Sequence, residues 1–364
     1  CVVATSGPGS SVAVWGSRGL RSTLGHGHAG AQGMRCFSDG RRLLTWSSDL
    51  SAAAAAGTVR IWDIGTGKAI REFPHTGRVQ GAEILPTERL VMTRTVHSVV
   101  SIWDVESGVL RSSRHAPTGA VTGIVPFPQG DRVLSWGMDG DALIIEVPSG
   151  REVCRCVGHT DAISVARVFP DGQRLLTASF DNTAKIWNAS TCQPLLEVSH
   201  LNSVVDADLA LDGEVVVTIT SSGLTSVWGS RTGRLRILTD TTPPWPRSVE
   251  TFPDGERMMS ISRDSITIWN ISSGEVLHQQ PGGIDFDFAV SPRGDIIAAC
   301  GAGIVEVTGI TTGLRLARHR LSEAVGQGIG QGPCAVTFAL GGALERDGFG
   351  PAWPLRDILQ HTAR

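Results

Sequence analysis

The chain of 364 residues contains no tyrosine, few aromatic residues (5%) and few charged ones (18%), with a formal net charge of −3. Each shortage excludes something. Without a basic excess there is no global electrostatic footprint for nucleic acid or for an anionic membrane surface. No apolar run approaches the roughly 20 residues that a membrane-crossing helix needs. No basic segment leads into an apolar one at the start of the chain, so no secretory leader is expected. The seven cysteines are odd in number and scattered, unlike the disulfide framework of a small secreted domain. Cys154 and Cys156 sit two apart, on one face of a strand, and read as small apolar fillers. A reducing intracellular compartment, cytoplasm or nucleus, fits best. What is abundant is turn-formers, 44 Gly and 18 Pro, beside 41% hydrophobic residues. An interior Gly costs a helix about 1 kcal/mol relative to Ala, so the composition describes a turn-rich, all-β chain with a sizeable core.

An internal repeat sets the architecture. A short β-type segment ending in Trp recurs as Val12-Ala-Val-Trp15, Val59-Arg-Ile-Trp62, Val100-Ser-Ile-Trp103, Ala184-Lys-Ile-Trp187, Thr225-Ser-Val-Trp228 and Thr267-Ile-Trp269. Degenerate copies at Leu143–Glu146 and Val305–Thr308 fill the gaps, which gives a spacing of 39 to 47 residues. A turn bearing Gly or a relative, such as Phe169-Pro-Asp-Gly172, precedes an apolar run, and in six units a second Gly turn such as Ser107-Gly108 follows the repeat segment. Each unit therefore reads as four short strands joined by tight turns, an antiparallel meander. A period near 40–45 with four strands per unit is the mark of a β-propeller.

The fullest copy is Gly158-His159-Thr160-Asp161 followed by Ser179-Phe-Asp181 and Ile186-Trp187-Asn188. These motifs resemble the WD-repeat β-propeller family over nearly the whole chain. The resemblance implies a structural tetrad of His159, Ser179, Asp181 and Trp187, a hydrogen-bonded set inside one blade. It departs from the pattern elsewhere: Ser222 and His97 take the Asp position before Trp228 and Trp103, and Gly137 stands at the hydroxyl position of the fourth unit. The histidines fall once per repeat, which spreads them around a ring rather than converging them on a metal.

The expected fold is a single all-β propeller of four-stranded antiparallel blades, eight favoured over seven. Its first blade is closed jointly by an N-terminal second strand, Val2–Ser6, and a C-terminal first strand within Ala324–Gly332. The propeller is expected to span 1–333, with 334–364 a surplus strand (Cys334–Leu340) and an irregular tail. Residues 50–57, an Ala run, read as a surface insertion.

No catalytic motif is found: no phosphate loop, nucleophile elbow or paired-histidine helix. Gly326–Gly332 is Gly-rich but lacks the strand–helix setting of a nucleotide loop, and no cofactor, metal or catalytic residue is assigned. The resemblance implies a non-catalytic, monomeric scaffold that binds protein or peptide on the face made by inter-blade and second-to-third-strand loops. Arg78, Thr118, Asp161, Asn202, Trp245 and Arg247 are the candidate contacts there; Trp245, set between prolines, cannot occupy an ordinary ladder position. The alternatives are an enzyme with an active site in the central channel, or the sensing segment of a larger multidomain signalling protein.

Overall fold

Aliphatic and β-branched runs between Gly turns favour short antiparallel strands, and the described residues of the computed structural model form 32 of them. It describes residues 2–6, 11–16, 19–25, 31–48, 57–115, 121–240, 246–262, 265–281, 287–291, 294–301, 304–309, 315–320 and 335–339. The only helical element among them is a 3-10 turn at Leu211–Gly213. The strands form eight four-stranded antiparallel sheets, the blades of a β-propeller. In chain order the blades span 2–25, 31–75, 79–115, 121–156, 163–199, 204–240, 246–281 and 287–320, and they are numbered in that order below.

The chain divides into two compact units, residues 1–84 with 285–364, and residues 85–284. In the first unit, blade 1 takes its first strand from the far end of the sequence: Ala335–Ala339 pairs antiparallel with Val2–Ser6. Residues 334–340, expected to be surplus, thus contain the closing strand. The physical reason is pairing: Val2–Ser6 is covered on one side by Ser11–Gly16, and its other edge needs a ladder partner. Residues 324–332, expected to close the blade, lie outside the described residues, as do residues 50–56 of the Ala run expected at 50–57, whose Gly57 opens the strand Gly57–Asp63, and the tail from 340.

In the second unit the blades run from buried inner strands to wet outer ones. All six residues of the second strand Val215–Thr220 are buried, whereas the fourth strand Leu110–His115 is exposed except at Ser112. At the turns between first and second strands, Arg132, Arg174 and Arg257 stack on Phe127, Phe169 and Phe252 at 4.3, 4.1 and 4.7 Å. These cation–π contacts fix the same turn in three blades.

One hydrogen bond recurs inside the blades. The indole Nε1–H donates to a buried hydroxyl two residues beyond the residue paired with the Trp. Trp62 donates to Thr45 at 2.7 Å, Trp103 to Thr93 at 3.1 Å, Trp187 to Thr177 at 2.8 Å, Trp228 to Thr218 at 3.1 Å and Trp269 to Ser260 at 2.9 Å. The register explains the regularity: Trp187 pairs with Leu175, so Thr177 is its diagonal neighbour on the same face. Ser179, given this role in the sequence, is one further period along the strand. By the same register the hydroxyl of blade 4 is Ser135, since Ile145 pairs with Val133, and not a residue lost at Gly137. Thr177→Val keeps the shape but orphans two buried groups, and is expected to destabilise the protein by about 2–4 kcal/mol. An unchanged denaturation midpoint in urea would contradict this.

Candidate functional site

In a four-stranded meander the turn between second and third strands and the connection to the next blade lie at the same end. In the second unit this end comprises residues 138–141, 157–162, 180–182, 200–203 and 221–223. Backbone bonds tie these segments together. The N–H of Phe180 donates to Ala162 O at 3.1 Å, that of His200 to Asn182 O at 2.8 Å and that of Ser221 to Ser203 O at 2.8 Å. Ser203 Oγ donates to Phe180 O at 3.0 Å. Gly140 is needed for its left-handed φ of +82° and because a Cβ would lie 2.9 Å from both Asp161 O and His159 O.

A side-chain chain underlies this face in blade 5. Thr177 Oγ1 accepts from Trp187 and donates to His159 Nε2 at 2.7 Å. His159 Nδ1–H donates to Asp181 Oδ2 at 2.7 Å. Asp181 also accepts from the Thr160 N–H at 3.0 Å and from Thr183 Oγ1 at 2.6 Å. Every donor and acceptor is matched when His159 is neutral. Burial pushes the His159 pKa below its usual value, and that effect outweighs Asp181. Burial alone would raise Asp181, but bonds from Thr183, His159 and Thr160 hold its carboxyl below the usual range. Ser179 instead donates to the carbonyls of Asp161 and Ala162 at 3.0 and 2.9 Å and accepts from the Asp181 N–H at 3.1 Å. It anchors the loop, while Thr177 joins the indole to the imidazole.

Blade 6 carries the same chain without its acid. His200 Nε2 bonds Thr218 Oγ1 at 2.9 Å, and Trp228 donates to the same hydroxyl. Ser222 bonds Thr220 at 3.0 Å, and the buried His200 Nδ1 has no hydrogen-bond partner among the described residues.

Above this frame stand apolar side chains that turns seldom carry. Met138, Val157, Phe180 and Leu201 are 62%, 63%, 44% and 93% exposed. Sequence reasoning missed all four, although a large apolar residue inside a tight polar turn was a readable signal. Of the expected contacts, Asp161 is exposed and Asn202 half-buried on this same face, and Arg78 is exposed in the first unit. Thr118 and Trp245 lie outside the described residues. Arg247 lies in the strand Pro246–Thr251, its side chain outside what is described.

The inner strands hold a second set of charges. Arg167 Nε donates to Asp208 Oδ1 at 3.2 Å, and Asp208 Oδ2 accepts from the Thr251 N–H at 2.8 Å. Asp206 Oδ2 accepts from the Val249 N–H and Oδ1 from the Ala207 N–H, both at 2.9 Å. Burial raises the Asp206 pKa to about 6, against the pull of Arg167 and the two N–H groups. A raised carboxyl pKa can mark an acid–base residue, but both oxygens here are spent on backbone amides, one of the next residue in the same strand and one of the inner strand of the next blade. No group of three or more His, Cys, Asp or Glu able to hold a metal occurs among the described residues. Cys154, expected to be a filler, is disulfide-bonded to Cys192; Cys156 is the buried filler.

The family described as WD domain, G-beta repeat matches residues 150–188. The chain is 29% identical over 154 residues to apoptotic protease-activating factor 1 of Rattus norvegicus, covering 40% of this chain and 12% of that protein. It is 25% identical over 171 residues to autophagy-related protein 16 of Arabidopsis thaliana (46% and 33% covered). Against protein groucho of Drosophila melanogaster it is 27% identical over 140 residues (36% and 19%). The matches span a third or less of each of these relatives. Among solved structures, the computationally designed Ika8 protein matches with a TM-score of 0.69 at 18% identity, over 82% of this chain and 89% of that one. That likeness is one of fold. No helix among the described residues is long and apolar enough to cross a membrane.

Two outcomes test the electrostatics of the site. Ser222→Asp places a carboxylate beside His200 Nδ1, so the His200 pKa, now lowered mainly by burial, rises and stability increases by about 1 kcal/mol. An unmoved His200 titration in NMR would refute the placement. For Asp206, the folded state holds a proton up to about pH 6 while the unfolded chain releases it near 4. Its contribution to stability therefore falls as pH rises through that window, and its carboxyl carbon shift is expected to titrate near 6 rather than below 4.

Proposed function

We propose that this β-propeller, similar to the WD domain, G-beta repeat family over residues 150–188, is a non-catalytic scaffold that binds protein or peptide through the loop face of the second unit. The observation that carries this reading is the group of four exposed apolar side chains, Met138, Val157, Phe180 and Leu201, held on turns that hydrogen bonds keep in place. A large apolar residue exposed on a rigid support gains by being covered, at roughly 25 cal/mol per Å² of apolar surface removed from water, and loses little entropy doing so. Asp161 and Asn202 supply polar contacts at the rim of the same face, and Arg78, Thr118, Trp245 and Arg247 remain candidates for further ones.

Fold alone does not assign a partner. Relatives that include an apoptotic protease-activating factor and an autophagy-related protein support a scaffold acting inside the cell. Because the matched segments are small parts of those relatives, a sensing or regulatory segment of a larger protein is the second reading. Both use the same face.

Selection of a displayed peptide library on the full chain tests the proposal. Phe180→Asp with Leu201→Asp is expected to reduce binding of the selected peptides at least tenfold with melting unchanged. Leu195→Asp with Leu238→Asp, on exposed fourth-strand positions, serves as the control and leaves binding intact. Loss in the control variant alone would overturn the assignment of the face.

A further inference from the structure

The turn between third and fourth strands needs a left-handed residue, and blade after blade supplies glycine. Gly67, Gly108, Gly150, Gly233 and Gly274 have φ between 64° and 74°. Each closes its turn with one bond to the carbonyl four residues back, at 2.8 to 2.9 Å. In blade 5 the same bond is made by Cys192, whose N–H donates to Asn188 O at 2.8 Å with φ 55°. A residue with a Cβ is disfavoured in that conformation by roughly 1 kcal/mol or more, so its presence needs a reason.

The glycines show where a side chain at this turn points. A Cβ on Gly150 would meet Ser112 Oγ at 2.5 Å, one on Gly233 would meet Leu196 Cδ1 at 2.9 Å, and one on Gly274 would meet Ile237 Cγ2 at 3.0 Å. Ser112, Leu196 and Ile237 hold one repeat position: they pair with Ile102, Ile186 and Val227, each directly before its blade's repeat position. The same position in blade 4 is Cys154, which pairs with Ile144. The geometry of the repeat thus aims Cys192 at Cys154 of the preceding blade, and the two are bonded, with Cα atoms 6.0 Å apart. That separation lies within the usual disulfide range.

We propose that Cys154–Cys192 is a reversible redox clasp across the joint between blades 4 and 5. A dithiol reductant opens it: its thiolate attacks the sulfur of half-buried Cys154, Cys192 leaves as thiolate and takes a proton, and the reductant's second thiol then displaces Cys154. Two electrons and two protons pass to the protein, and the reductant departs as its disulfide; a small-molecule disulfide reverses the sequence. Neighbouring Cys156 does not intercept the exchange, because it is buried and its thiol is pushed up to about 12, by burial first and then by Asp141. Opening the clasp leaves Cys192 in a left-handed turn held only by its N–H bond to Asn188 O. The strand released, Glu152–Cys156, runs directly into residues 157–162 and His159.

Non-reducing tryptic mapping of the full chain tests this, since cleavage after Arg155 separates Cys154 from Cys156. The expected result is a 154–192 linked peptide after equilibration with glutathione disulfide, absent after dithiothreitol and recovered on reoxidation. Reduction is expected to lower the melting temperature by about 5–10 °C for a closed loop with a sequence separation of 38 residues. Cys192→Gly, which restores the favoured turn residue, is expected to melt between the oxidised and reduced forms and to ignore dithiothreitol. Absence of the linked peptide under oxidising conditions, or a wild-type melting temperature indifferent to dithiothreitol, would overturn the proposal.

Discussion

The bond from a tryptophan indole to a buried hydroxyl on the neighbouring strand is the constraint on which the rest depends. An indole is the largest side chain a blade can bury, and its N–H cannot be left without an acceptor at a modest cost. Placing Thr or Ser on the diagonal of the ladder meets that demand inside the sheet. The hydroxyl in turn has a proton to give. Where a histidine follows from the inter-blade connection, as His159 does, the proton goes to Nε2 and the connection is fixed to the sheet. A single strand register therefore decides core packing and loop position together.

This explains which parts of the protein were legible in the sequence. The recurrence of Trp at a nearly constant interval revealed four-stranded blades and the way both ends of the chain share one of them, because spacing along a strand is a one-dimensional property. Which hydroxyl meets the indole depends on cross-strand register, and there a displacement of two positions sufficed to put Ser179 in the place of Thr177. The closing strand was misassigned for a similar reason: several apolar stretches near the C-terminus have strand character, and only pairing with Val2–Ser6 distinguishes Ala335–Ala339. The disulfide was hidden further still, since Cys154 and Cys192 come together only through contact between successive blades.

Contacts between blades follow a rule of their own. The inner strand of each sheet has one free edge, and its backbone groups need partners. In the second unit these come from side chains one blade back. Arg94 donates to Val121 O, Ser164 to Val204 O, and the Asp206 carboxylate accepts from the Val249 N–H. Polar side chains thereby join one inner strand to the next without a continuous ladder. Asp206 is the expensive version of this device: its ionised form is held in a buried place, and what it gives in return is satisfaction of two amides. The disulfide joins the outer part of one such joint, where fourth strands are exposed and side-chain bonds compete with water.

The loop face combines these two layers. Exposing Phe180 and Leu201 on a flexible loop would invite collapse of those side chains onto the nearest apolar surface. Here the Phe180 backbone is held on both sides, by its N–H to Ala162 and by its carbonyl to Ser203, and the adjoining Asp181 is fixed by His159, Thr160 and Thr183. The most completely bonded blade is therefore the one that presents an aromatic residue outward. Blade 6, whose chain stops at His200 Nδ1, unpartnered among the described residues, presents Leu201 from a connection with one polar anchor fewer. Rigidity and the display of an apolar side chain thus share one cause in these neighbouring blades. That is the pattern expected where the same hydrogen bonds that complete a blade also preorganise what it offers to a partner.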